Sequence, residues 1–273
     1  MKRFPLFFVL ASLAIAGAAV FFATVLADAL GAAQEPLAAR VYRATALLYA
    51  QDENGGMTMH CTATLYAKAP GGYLVVTASH CLSDQENFDV EDTSKHIKAV
   101  VQPQFLTFDA VDTKEFLKAE VLAVGVQSKG DDFAILYVKL DREISTIPLG
   151  DESKEVFGSE VMSVASPAGL GRQLMHGYIS MPRLDRPVKQ NEINWTDAMM
   201  LQIPSGPGSS GSSIISIHQE KIIAFLVGAY AGNNIIAIPV SRFKNFSKSI
   251  NEHKYRWWDE PRYPKDMPVL PEQ

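Results

Sequence analysis

No run of lysine or arginine occurs anywhere in the chain, and the formal net charge is −5 with a pI near 5.7. That balance excludes the basic patch by which proteins bind nucleic acid nonspecifically. Cysteine is scarce, with Cys61 and Cys81 alone. Each follows a histidine, His60 and His80, so a zinc site of two Cys and two His has to be weighed. Neighbours on a strand point to opposite faces, so adjacent His-Cys pairs converge poorly on one ion. No metal and no other cofactor is expected. Internal repeats are absent, which leaves no argument for a solenoid or propeller. Helical periodicity is also nearly absent. What remains is a globular composition, 47% hydrophobic, with enough apolar material for a core.

The N-terminus differs in kind from the rest. Lys2 and Arg3 precede an uncharged, mostly apolar run from Pro5 to Leu26. A basic flank before an apolar run predicts export with the basic end left in the cytoplasm. Two readings of residues 1–29 stand. Ala27-Asp28-Ala29 offers small residues for signal cleavage. The run also approaches the ~20 apolar residues of a membrane-spanning helix. In either case the remainder is periplasmic or secreted, and an even cysteine count in an exported chain predicts one disulfide.

From residue 40 onward, short apolar runs alternate with turn residues. Strands are predicted over 40–50, 57–67, 72–79, 97–105, 119–127 and 133–140. A second group covers 159–166, 172–180, 198–204, 213–218, 221–230 and 234–240. So many short strands predict sheets that close on themselves. The expected fold is all-β: two six-stranded barrels over 40–140 and 154–250, divided near 141–153. A helix is predicted over 241–258, with Phe243, Phe246 and Ile250 at helical spacing. Residues 259–273 hold four prolines and read as an extended tail, which Trp257 and Trp258 are expected to pack onto the body.

The stretch SGPGSSGSSII, residues 205–215, reads in isolation as a Gly/Ser linker. It also contains one serine in the arrangement Gly-x-Ser-Gly before an apolar strand. This is Ser210, with Gly208 two before it and Gly211 after. Acyl transfer needs such a hydroxyl, a histidine to take its proton and a carboxylate to orient the imidazole. It also needs backbone N–H groups aimed at the developing oxyanion, and flanking glycines permit the tight turn that exposes them.

Two distant segments supply the partners. VVTASHC, residues 75–81, resembles the histidine signature of chymotrypsin-like serine proteases, with Ser79 where the signature has alanine. DDFAILYV, residues 131–138, is similar to their aspartate segment. Aligning Ala134 with the family's alanine makes Asp132 the acid and Asp131 a solvated neighbour. The order His80, Asp132, Ser210 is the chymotrypsin order. The resemblance spans residues 40 to 245. It implies a Greek-key double barrel, a Cys61–Cys81 disulfide pinning the histidine loop, and an oxyanion hole from the N–H groups of Gly208 and Ser210. SVASPAGLGRQLMHGYIS (163–180) and NNIIAIPVSRF (233–243) resemble the HtrA type in particular, without a segment for its peptide-binding PDZ module.

The resemblance implies a pocket floor near Pro204 with walls at Val227, Gly228 and Tyr230. No acidic residue stands at that floor, which leaves a Lys/Arg preference without support. Ser209 occupies the position where trypsin-like zymogens have an aspartate to pair with a freed N-terminus. Activation by that ion pair is not expected. The implied function is an exported serine endopeptidase acting on a protein or peptide substrate, membrane-bound if the N-terminal segment is kept. The competing readings are a noncatalytic barrel that binds an envelope partner, and a linker in a structural protein.

Overall fold

A computed structural model describes residues 35–51, 54–82, 104–108, 115–125, 130–190, 193–230 and 234–251. The chain divides into Met1–Pro36 and a compact unit, Leu37–Gln273. Among the described residues no helix is long and apolar enough to cross a membrane. The apolar run Pro5–Leu26, Trp257, Trp258 and the tail 259–273 lie outside them, as do residues 97–103, 126–127 and 252–258 of predicted elements.

The compact unit holds two closed antiparallel barrels of six strands each. The first is built from β1 (Thr45–Gln51), β2 (Met57–Ala69), β3 (Gly72–Thr77), β4 (Gln104–Thr107), β5 (Leu117–Val124) and β6 (Ala134–Lys139), in the order β1-β2-β3-β6-β5-β4. The second is built from β7 (Glu160–Ala165), β8 (Gln173–Met181), β11 (Met199–Gln202), β12 (Ser213–Ser216), β13 (Lys221–Tyr230) and β14 (Asn234–Pro239), in the order β11-β14-β13-β12-β7-β8. Closure leaves no unpaired strand edge. Gly177 of β8 lies so close to β11 that a Cβ there would sit 2.0 Å from the Gln202 carbonyl oxygen. Only glycine allows the second barrel to close at that point.

Two elements differ from the sequence expectation. Residues 37–44 form a helix, Leu37–Ala44, so the first strand begins at Thr45 rather than 40. Val41 and Ala44 are its buried positions, a helical spacing hidden by the strand-favouring Val41-Tyr42 pair. A hairpin of β9 (Val188–Gln190) and β10 (Ile193–Trp195) forms a separate two-stranded sheet whose Trp195 is buried in the core; its strands of three residues are too short to give an alternating signal. The C-terminal helix is Val240–Asn251, and Phe243, Phe246 and Ile250 are its buried face.

That helix locks the two barrels together. Phe133, just before β6, meets Phe225 of β13 at 5.9 Å and Phe243 and Phe246 of the helix at 5.5 and 5.8 Å between ring centroids. Edge-on and tilted contacts of this kind add roughly 0.5–1.5 kcal/mol per pair beyond burial. The residue before Phe133 is Asp132, so the cluster anchors the loop that carries the acid.

Candidate active site

β3 ends at Thr77, Ala78 continues extended, and Ser79–Cys81 make one 3-10 turn that carries His80. Two bonds tie down this turn. Cys81 is joined to Cys61 of β2 by a disulfide, and its carbonyl lies 2.7 Å from Nε2 of His60. Both sulfurs are committed to that bond, so neither is a thiolate free to hold zinc.

Asp132 is fully buried. Its Oδ2 lies 2.7 Å from His80 Nδ1. Its Oδ1 accepts the backbone N–H of His80 at 2.9 Å and the hydroxyl of Ser79 at 2.7 Å. A carboxylate against Nδ1 holds the proton there and leaves Nε2 with its lone pair outward. Burial disfavours the charged imidazole of His80, but the charge and hydrogen bond of Asp132 outweigh it and raise the His80 pKa above 6.5. Burial likewise opposes the Asp132 carboxylate. His80, by charge and hydrogen bond, together with Ser79 and the His80 N–H, outweighs burial and lowers its pKa below 3.8.

Ser79 was a bare departure from the signature in the sequence; here its hydroxyl takes up a lone pair of the buried acid. Asp131 is partly exposed and is also paired with Arg242 of the C-terminal helix, Oδ1 to Nε at 2.7 Å. Successive side chains of an extended segment face opposite ways, so Asp131 reaches the helix while Asp132 reaches the histidine.

The stretch 205–215 is not a linker. Ser209 N–H donates to the Gly206 carbonyl at 2.9 Å, closing a four-residue turn. Pro207 occupies its second position and Gly208, at φ 94°, its third. This is a type II turn, which needs a positive φ at that third residue. Gly211, at φ 81°, lies hard against β3: a Cβ there would sit 2.2 Å from Thr77 Oγ1 and 2.7 Å from the Ala78 nitrogen. Ser210 is therefore pressed against the end of β3, from which His80 projects. It is half-buried, and its carbonyl accepts the Thr62 N–H at 2.9 Å. Ser209 is fully buried, its hydroxyl accepting the Gly206 N–H at 3.3 Å.

Among the residues read as a specificity pocket, Pro204 lines a cleft of about 690 Å³ with Gly158, His176, Tyr178 and Gln202. Val227, Gly228 and Tyr230 do not line it; they continue β13 beyond Leu226, whose carbonyl accepts the Gly211 N–H at 2.8 Å.

An imidazole oriented by a buried carboxylate is one part of the equipment of acyl transfer, and the turn that bears Ser210 packs through Gly211 on the strand end that leads to it. No curated protein matches the chain. Among solved structures, one described as "HtrA-type protease AlgWS227A with tripeptide" is similar in fold, with a TM-score of 0.57 and 18% identity. The match covers 80% of this chain and 63% of that one. Residues 61–224, more than half of the sequence, match the family described as trypsin-like peptidase domain. With that match, and with two closed barrels built as in the chymotrypsin-like fold, the chain belongs to the trypsin-like peptidase family.

Proposed function

We propose that the protein is an exported serine endopeptidase working through a Ser210-His80-Asp132 triad. The observation that carries this reading is the imidazole of His80, held through Nδ1 by a buried acid, on the strand end against which Gly211 packs. Ser210 Oγ attacks the scissile carbonyl carbon as its proton passes to His80 Nε2. The carbonyl oxygen gains the negative charge and is met by the N–H groups of Gly208 and Ser210. The tetrahedral adduct collapses, the amine leaves with the proton from His80, and the acyl-enzyme remains. Water then repeats the sequence, giving its proton to His80 and releasing the acid.

Constitutive competence is part of the proposal. Pro207 presets the φ of its turn position, and the turn is closed without an N-terminal ammonium paired to residue 209. The cleft near Pro204 also carries the Glu160 carboxylate on its wall, so the proposal includes no preference against Lys or Arg. Export is supported by the Lys2-Arg3 flank before the apolar run and fits the observed disulfide.

The test is cleavage of a peptide library by the purified protein, followed by a pH series on one cleaved peptide. His80 must be neutral to accept the proton, so kcat/KM rises as pH passes its folded pKa. Asp132 holds that pKa up, so the midpoint of the acid limb is expected above 6.5. A midpoint at or below 6.5 contradicts the assigned base. The stability sign differs. The raised His80 contributes fully below about 6.5 and loses its contribution as pH rises through its folded pKa. Asp132, with its pKa depressed, contributes above its ordinary value and loses its contribution as pH falls through the lower folded one. The pair stabilises the fold most between the two ordinary values, 3.8 and 6.5, and progressively less as pH moves from there toward either folded value.

A further inference from the structure

Thr62, next to the disulfide on β2, uses every polar group it has, and three separate segments meet on it. It is fully buried. Its N–H donates to the Ser210 carbonyl at 2.9 Å. Its hydroxyl donates to the Gly208 carbonyl at 2.8 Å and accepts the Ser166 N–H at 3.2 Å. Its own carbonyl accepts the Thr77 hydroxyl at 2.8 Å.

The Ser166 segment returns to the same turn one residue earlier. Ala168 N–H donates to the Pro207 carbonyl at 2.7 Å. In a trans peptide the C=O and the following N–H point opposite ways. Holding the Pro207 carbonyl on Ala168 therefore aims the Gly208 N–H away from Ala168. Rotation of that central peptide interconverts type II and type I turns and would reverse the N–H. The Thr62 hydroxyl joins the next carbonyl, that of Gly208, to the segment that holds the Pro207 carbonyl. Valine in its place would leave the half-buried Gly208 C=O and the buried Ser166 N–H without this partner.

We infer that Thr62 is a positioning residue whose hydroxyl locks the 206–209 turn in the form that presents the Gly208 N–H to the oxyanion. The inference rests on the serine-peptidase reading above and adds to it the device that keeps the oxyanion site formed.

The experiment compares wild-type protein with Thr62→Val and Thr62→Ser on one cleaved peptide, and measures binding of a peptide boronate that mimics the tetrahedral adduct. Loss of a direct oxyanion donor costs about 100- to 1000-fold in kcat. Release of a donor that still samples the right orientation should cost about 10- to 100-fold. Thr62→Val is expected to lose that factor in kcat and in boronate affinity with KM nearly unchanged, because the oxyanion forms only in the transition state. Thr62→Ser, which keeps the hydroxyl, is expected within about threefold of wild type. Should the valine variant not fold, Thr62→Ala against Thr62→Ser differs by the same single oxygen and carries the same expectation. Wild-type kcat in the valine or alanine variant, or equal losses with and without the hydroxyl, would overturn the inference while the peptidase reading stands. A wild-type protein inert toward both peptides and the boronate would remove the reading and the inference with it.

Discussion

Ser210→Ala is expected to remove peptide cleavage, with kcat falling by about 10⁶ if the nucleophile of a working triad is lost. The fold should survive the change. Ser210 is half-buried, and the bonds that set its turn are backbone bonds: its carbonyl accepts from Thr62, and the neighbouring Gly211 N–H donates to Leu226. Alanine keeps them all. The change in stability should stay within about 0.5 kcal/mol, as for surface substitutions away from special features. Cleavage kinetics and a thermal melt on the same preparation check both halves. Cleavage at the wild-type rate would assign the chemistry elsewhere; an unfolded variant would show that the serine supports the turn by more than its backbone.

Asp132→Asn is expected to lower kcat by about 10⁴ while leaving the fold in place, the size of loss seen where an isosteric amide imposes the wrong histidine tautomer. The hydrogen bonds around the acid explain why the amide has one tolerable orientation. Three donors converge on the carboxylate: the Ser79 hydroxyl and the His80 backbone N–H on Oδ1, and His80 Nδ1 opposite Oδ2. The backbone N–H cannot become an acceptor, so asparagine must keep its oxygen at the Oδ1 position. Its NH₂ then faces Nδ1, which has to accept, and the imidazole proton moves to Nε2. A histidine protonated at Nε2 cannot take the Ser210 proton. The variant also loses the negative charge that raises the His80 pKa, so its residual acid limb should shift to lower pH than that of wild type. A pH series on both proteins checks this. An unchanged limb, or a loss of only a few-fold, would separate Asp132 from the reaction.

The parts of this site that were legible in the sequence are those written locally. A histidine between an apolar strand and a cysteine, and a serine between glycines ahead of another strand, carry their chemistry within a few residues. The choice of Asp132 over Asp131 came from alignment on Ala134; the structure supplies its physical reason, since Arg242 takes one carboxylate and His80 the other. The barrels were legible because most of their strands bury apolar residues between clear turns. The hairpin β9–β10 is not, because three residues per strand leave too short a pattern to read even though Trp195 is buried, and Leu37–Ala44 is hidden because its helical burial is carried by few positions. Thr62 and Ser79 were the least readable. Each is a small polar residue in or beside a strand, and the partners of its hydroxyl lie up to 146 positions away in the chain. Nothing short-range distinguishes a hydroxyl that organises a turn from one that merely fills a strand.

The central claim, that Ser210 is a nucleophile activated by His80, is tested most directly by reaction of the folded protein with a fluorophosphonate and mass analysis of its peptides. The account predicts one adduct per chain on the peptide bearing Ser210, lost in Ser210→Ala and strongly slowed in His80→Ala. Folded protein that takes up no label, or takes it up at another residue at the same rate in all three forms, would contradict it.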